Sequence, residues 1–297
     1  MNNTKTPTST ALKTSLCILS CAGLLGLPAT ASAVNLNARD FVSAPVGTVI
    51  SASYLSNQHA DEFHGADDDA YLNVNALAYR QLWFSDICGT LCTPQFVLPY
   101  LDFTVKAPGQ PHDADEAGFA DPQIGGTLYV INDPETRTYS GLLTLVSLPL
   151  GEYDANRPGI SAGANRWATH LAYNYTQGIG ERWIVEGNLE AQLYGSNDDY
   201  HGSTLEQEPL YRLQAFASYD ITPRTYGALR LIYGQGGELE IDGETIADTE
   251  QRYTRLGAEL AHNVTPRDRI LLALSQDIDT ENAFHGSQAL LRFSHVW

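Results

Sequence analysis

Ser287-Gln288-Ala289-Leu290-Leu291-Arg292-Phe293-Ser294-His295-Val296-Trp297 ends the chain, and its side chains alternate in character. Ala289, Leu291, Phe293 and Trp297 fall on one face, with His295 the single polar member, while Gln288, Arg292 and Ser294 fall on the other. A period of two marks a strand with unlike faces. A strand lying between lipid and an aqueous lumen has this pattern and can end on an aromatic residue. Everything upstream is then expected to be a sheet that this strand closes, with Leu291, Phe293 and Trp297 outward.

Working back from it, the same alternation recurs. In Trp183 to Tyr194, Val185, Gly187, Leu189, Ala191 and Leu193 alternate with Glu186, Asn188, Glu190 and Gln192. Tyr211, Leu213, Ala215, Ala217 and Tyr219 oppose Arg212, Gln214, Ser218 and Asp220. Leu171, Tyr173 and Tyr175 oppose Arg166, His170 and Asn174, and Leu256, Ala258 and Leu260 oppose Arg255 and Glu259. Twelve strands are expected, near 48–57, 70–84, 95–106, 123–132, 138–149, 165–177, 183–194, 209–220, 225–234, 251–263, 268–275 and 287–297. No long segment has helical periodicity.

A soluble two-sheet sandwich would also alternate, so the connections carry the decision. Tight turns at Asn132-Asp133-Pro134-Glu135, Gly178-Ile179-Gly180-Glu181, Thr222-Pro223-Arg224 and Thr265-Pro266-Arg267 alternate with long linkers at 58–69, 107–122, 150–164, 195–208, 235–250 and 276–286. This is the rhythm of an up-and-down barrel with short turns at one end and loops at the other. The turns recur roughly every 45 residues, as in a propeller, but each interval holds two strands of about ten residues, long enough to span a bilayer. The expected fold is an all-β, transmembrane, antiparallel barrel of about twelve strands over 47–297.

The N-terminus sets the compartment. Lys5 and Lys13 precede an apolar run from Leu16 to Leu27, and Ala31-Ser32-Ala33 is an A-x-A cleavage site, so 1–33 is expected to be a signal peptide. Acylation of Cys21 is the weaker alternative. Residues 34–46 follow as a short periplasmic leader. Removal of the signal leaves Cys88 and Cys92, for which an oxidising periplasm favours a short-range disulfide over a metal site lacking further thiolates.

The net charge of −18 excludes nucleic acid as a partner. The acids concentrate in the long linkers: Asp67-Asp68-Asp69, Asp113, Asp115, Glu116, Asp198, Asp199, Glu238, Glu240, Asp242 and Glu244, with Arg157 their one cation. The turns carry Arg137, Arg182, Arg224 and Arg267. Solvated loops are charged in any case; the sided reading puts the acidic loops outside the cell among divalent cations and lipopolysaccharide, and both termini in the periplasm.

Asp121-Pro122-Gln123-Ile124-Gly125, Asn132-Asp133-Pro134-Glu135-Thr136-Arg137, Pro149-Leu150-Gly151-Glu152-Tyr153, Gly163-Ala164-Asn165-Arg166-Trp167, Tyr194-Gly195-Ser196-Asn197-Asp198-Asp199-Tyr200, Leu205-Glu206-Gln207-Glu208-Pro209-Leu210-Tyr211 and Gly236-Gly237 stand in fixed order. Together they resemble the outer-membrane protein family labelled "putative meta-pathway of phenol degradation". The resemblance implies a barrel associated with uptake of small aromatic or apolar compounds, and brings no catalytic motif and no cofactor. The last strand also resembles the C-terminal strand that the barrel-assembly machinery recognises.

If the polar faces line a lumen, that lumen holds Arg166, His170, Glu186, Glu190, Arg212, Arg230, Arg255, Glu259 and Arg292. Opposite charges on neighbouring strands can neutralise one another and fill a narrow barrel, or form a constriction that screens solutes. A lipid hydrolase would place His and Ser two apart on an outward face. His201-Gly202-Ser203 and His285-Gly286-Ser287 have the spacing but lie in or beside linkers and lack the following Asn, so no catalytic residue is expected. His59 and His64 flank Asp61 and Glu62 without a dense ligand motif, and no metal is expected.

Overall fold

The computed structural model describes residues 36–65, 70–87, 89–108, 110 and 112–297. The expected signal peptide at 1–33, Asp67-Asp68-Asp69 and Cys88 lie outside the described residues. Twelve long strands follow in order: β1 (Val49–His64), β2 (Tyr71–Trp83), β3 (Thr90–Lys106), β4 (Gln123–Asp133), β5 (Thr138–Ser147), β6 (Ala168–Ile179), β7 (Trp183–Tyr194), β8 (Leu210–Thr222), β9 (Thr225–Gly236), β10 (Gln251–Asn263), β11 (Asp268–Glu281) and β12 (Ala283–Val296). Each pairs antiparallel with its sequence neighbours, and β12 returns to β1, from Ile50↔Val296 to His64↔Ala283. The ring is closed, so its wall leaves no free edge to recruit another chain. Trp297 fastens the seam, its backbone N–H on Val49 O at 3.0 Å and its indole Nε1 on Ser51 Oγ at 2.8 Å.

Alternation decides which way each residue points. Outward-facing Leu55, Leu77, Leu189, Leu229, Leu260 and Leu274 are 51–69% exposed. A continuous apolar belt of this kind is untenable in water and suits lipid. Aromatic residues rim it: Tyr175, Trp183 and Trp297 near the tight turns, and Tyr100, Phe119, Trp167 and Tyr211 near the loops. Such rings sit where headgroups meet hydrocarbon.

The wall is taller than the alternation suggests. β1, β11 and β12 run on through 58–64, 276–281 and 283–286, which read as loops because charged and amide residues interrupt the apolar face. There the outer face is polar; Asn57 Nδ2 donates to Asn73 and Asn75 side chains at 2.9 and 3.0 Å. The expected long linker at 276–286 is instead a tight reversal at Asn282, whose φ is +52°.

Above Gln276↔Ser287, the last pair that β11 and β12 share, β11 follows β10 and β12 follows β1. Side chains bridge the parted strands: Gly286 N donates to Asp277 Oδ2 at 3.1 Å, and His64 and His285, stacked 4.6 Å apart, both reach Thr280 Oγ1. At the base of this split lies a cleft of about 430 Å³. It is lined from inside by Ser275 and Gln288, and from outside by Leu256, Leu274, Gln276 and Ala289.

The loops add structure of their own. Ala114–Phe119 continues the wall beside the upper half of β3. Asn197–Tyr200, Ser203–Gln207, Leu239–Ile241 and Glu244–Ile246 form a separate four-stranded sheet around Tyr200, Leu205 and Leu239.

Candidate functional site in the lumen

The structure places all nine polar candidates inside the wall. Eight are at most 9% exposed, and Arg255 is half-buried. Register brings them together. Arg212 lies opposite Glu190, its Nη2 2.9 Å from Oε2, and His170 Nε2 reaches the same oxygen at 3.2 Å. Arg255 lies opposite Asp277 and grips it with two bonds, Nε–Oδ1 at 2.8 Å and Nη2–Oδ2 at 3.1 Å. Arg230 meets Glu259 diagonally at 3.4 Å. Burial makes each pair dependent on both members, because a partner left alone keeps its desolvation cost without the attraction.

The leader, whose place relative to the lumen the sequence leaves open, turns into the barrel. Leu36, Ala38 and Phe41 are 2%, 0% and 4% exposed. Leu36 and Phe41 pack on Leu143, Leu145 and Ala172, and Ala38 packs among Phe216, Ala228 and Leu271. A Cβ on Gly141 would lie 3.2 Å from the Phe41 ring, so the missing side chain in β5 makes room for it.

Polar contacts fix the plug. Glu259 accepts from Asn37 Nδ2 and Ala38 N, both at 3.0 Å; Glu186 accepts from Arg39 N at 2.8 Å. Arg39 Nη1 pairs with Asp220 at 2.7 Å and its guanidinium stacks 4.1 Å above Tyr226. Arg292 Nη1 pairs with Asp40 at 2.6 Å. Arg39 has φ +69°, a left-handed conformation that a non-glycine residue holds only when its surroundings impose it. Glu186, Glu259 and Arg292 are thus occupied by a segment remote in sequence.

Elsewhere the inner wall changes character. At the loop end of β1 to β3 it presents Ala60, Leu72, Val74, Leu101, Phe103 and Val105, packed with Ala120 and Ile160 from the loops. Elsewhere on the inner wall several buried donors lack a hydrogen-bond partner: Arg166 Nη1, Arg212 Nε, Arg230 Nε and Nη2, and Arg292 Nε.

At the rim, Asp121 accepts from Gly151 N at 2.8 Å and Ala164 N at 2.9 Å, tying the loop at 150–164 to the barrel. Burial pushes its carboxyl above the usual range, against the pull of those N–H groups. Exposed Asp242 shifts down because Thr204 N and Ser203 donate to it.

Sequence reasoning missed Asn37, Arg39 and Asp40, since a short aperiodic segment gives no sign that it enters a lumen. It also missed Asp277, assigned to a linker; its position opposite Arg255 in an extended alternation was the available signal. Cys92 Sγ lies 3.5 Å from Thr90 O, and its expected partner Cys88 is outside the described residues. His285 bonds Thr280 at the split, while His201 and Ser203 belong to the loop hairpin. Among the described residues, no cluster of three or more His, Cys, Asp or Glu is arranged to hold a metal.

No curated protein shows a significant sequence match. Of solved structures, the COG4313 outer membrane channel from Pseudomonas putida F1 superposes with a TM-score of 0.82 at 24% identity, covering 89% of this chain and 100% of that one. The transport unit of the autotransporter AIDA-I from Escherichia coli gives 0.59 at 8% identity, covering 94% and 98%. The translocator domain of the autotransporter NalP from Neisseria meningitidis gives 0.54 at 8%, covering 96% and 97%. These likenesses concern the fold: a closed twelve-stranded barrel of the bacterial outer membrane. The family described as "Putative MetA-pathway of phenol degradation" matches residues 49–293, from the start of β1 into β12, and the chain belongs to it.

Proposed function

We propose that the protein is a passive channel or facilitator for small solutes across the outer membrane, with aromatic or apolar compounds preferred. The observation that carries this reading is the lumen: a closed ring holds ion pairs around a plug seated by separable contacts. Displacing Leu36–Phe41 breaks no strand pairing, so a path can open without unfolding the wall. The preference for aromatic solutes rests on membership of the phenol-degradation family, and the likeness to an outer membrane channel supports passage through the barrel. The tight turns and both ends of the barrel chain face the periplasm in this reading, and the acidic loops face outward among lipopolysaccharide. Assembly would use the barrel-assembly machinery acting on Ser287 to Trp297. No reaction is assigned, and no cofactor is required.

The charged wall supports a second reading, a general porin for small polar molecules. Liposome swelling and planar-bilayer conductance with purified protein separate the two, comparing phenol and benzoate with sugars of similar size. Selective passage of aromatics supports the first reading and equal sugar flux the second. Absence of any flux points to a structural barrel.

A further inference from the structure

Three of the buried polar atoms without a partner belong to Arg166, Tyr194 and Arg212, on or beside the successive strands β6, β7 and β8. Arg166, two residues before β6, is 5% exposed; its Nη2 donates to the neutral Gln207 side chain and its Nη1 has no partner. Its guanidinium stacks 4.6 Å from the Tyr194 ring, and the Tyr194 hydroxyl is also unpartnered. Arg212, 9% exposed and opposite Glu190 on the neighbouring strand, leaves Nε free. The nearby carboxylates are already engaged: Glu190 binds Arg212 Nη2, His170 and Gln214, and Asp121 binds two loop N–H groups. The surplus is therefore one of donors, and buried donors are stabilised by an acceptor. Overhead, Tyr200 and the small loop sheet add apolar surface, and Tyr200 lies within electrostatic range of Arg166.

We infer that Arg166, Tyr194 and Arg212 form a binding subsite for the carboxylate of an aromatic acid. The inference rests on the channel reading and narrows it: the carboxylate takes the free N–H and O–H groups, and the ring lies against Tyr194 beneath the apolar roof. Two planar guanidinium groups suit a carboxylate, and a flat aromatic wall distinguishes an aromatic acid from a simple inorganic anion.

The test uses full-length protein in planar bilayers and liposomes, with benzoate, phenol and cyclohexanecarboxylate as probes and chloride as the background ion. In wild type, benzoate should block chloride current in a saturable way, more strongly than cyclohexanecarboxylate, and phenol should not block. Arg166→Gln should lower the benzoate-to-phenol flux ratio about tenfold, the size of one charge-assisted hydrogen bond, and Tyr194→Phe less. Arg212→Gln strands Glu190, so its folding is checked by heat-modifiable gel mobility; Arg166 has no carboxylate in its hydrogen bonds, and the wild-type block needs no variant. Non-saturable block, or an unchanged ratio in folded Arg166→Gln, overturns the subsite while phenol flux leaves the channel intact. Absence of chloride current and of flux of every probe overturns both.

Discussion

At the loop end of β1 to β3 the inner face is Ala60, Leu72, Val74, Leu101, Phe103 and Val105, and loop residues Ala120 and Ile160 complete it as a dry core. On β7 to β11 the inner wall carries Glu190, Arg212, Arg230, Arg255, Glu259 and Asp277 in pairs. Both halves are buried, but by different means. The apolar half is stabilised by contacts that no solute could replace without opening a cavity. The charged half is stabilised by directed contacts, with donors to spare, and its plug contacts can be exchanged for water or solute. In the proposed channel, permeation would follow the charged half, with the apolar half as a rigid backing.

The largest expected effect comes from removing the plug. Replacing residues 36–41 by a Gly/Ser linker should raise single-channel conductance severalfold with heat-modifiable mobility retained, because the segment contributes to no strand of the ring. Unchanged conductance would mean that the loops, not the plug, set the constriction, and that the two halves do not differ in this way.

Next is the cost of cutting into each half. Arg230→Ala leaves Glu259 without its wall partner and should destabilise the barrel by about 3–5 kcal/mol in urea titrations, while Val105→Ala, a fully buried member of the apolar half, should cost only about 1–3 kcal/mol. The reverse order would show the ion pairs to be water-filled and loosely held.

A smaller change should follow Gly141→Val. Its side chain would meet Thr127 Cγ2 at 2.9 Å and Phe41 and Leu128 O at 3.2 Å, so the plug should sit less well and the closed-state dwell time in bilayers should shorten. Unaltered gating would place Phe41 outside the gate.

The smallest effects concern the ends. Cysteine at Asp198 or Asp242 should react with an impermeant maleimide on intact cells, and cysteine at Thr222 should not; the opposite pattern would invert the topology. Cys88 and Cys92 should be oxidised in protein taken from the envelope, and mutating both should loosen a turn without unfolding the barrel. Two free thiols in denatured, unreduced protein would remove that clip.

The alternating residues of Trp183–Tyr194 and Gln251–Asn263 marked those strands at the positions where they occur, because a lipid face and a lumen face impose opposite chemistry on neighbouring residues. The same pattern sorted Arg166, His170, Glu186, Glu190, Arg212, Arg230, Arg255, Glu259 and Arg292 to one side of the sheet. It failed above the lipid belt: at His59 to His64 and Gln276 to Glu281 the strands continue with polar residues on the outer face, and the contrast between faces disappears.

Sequence alone thus determined the strand count, the outward apolar belt and the inward charges, all of which follow from local periodicity. The tertiary structure decided which charges meet, that Asp277 belongs to the wall, where β11 and β12 part, and that the leader fills the lumen. Asn37 and Glu259 are 222 positions apart. Their contact depends on the closure of the ring, which brings β10 around a segment that has no periodic signal of its own.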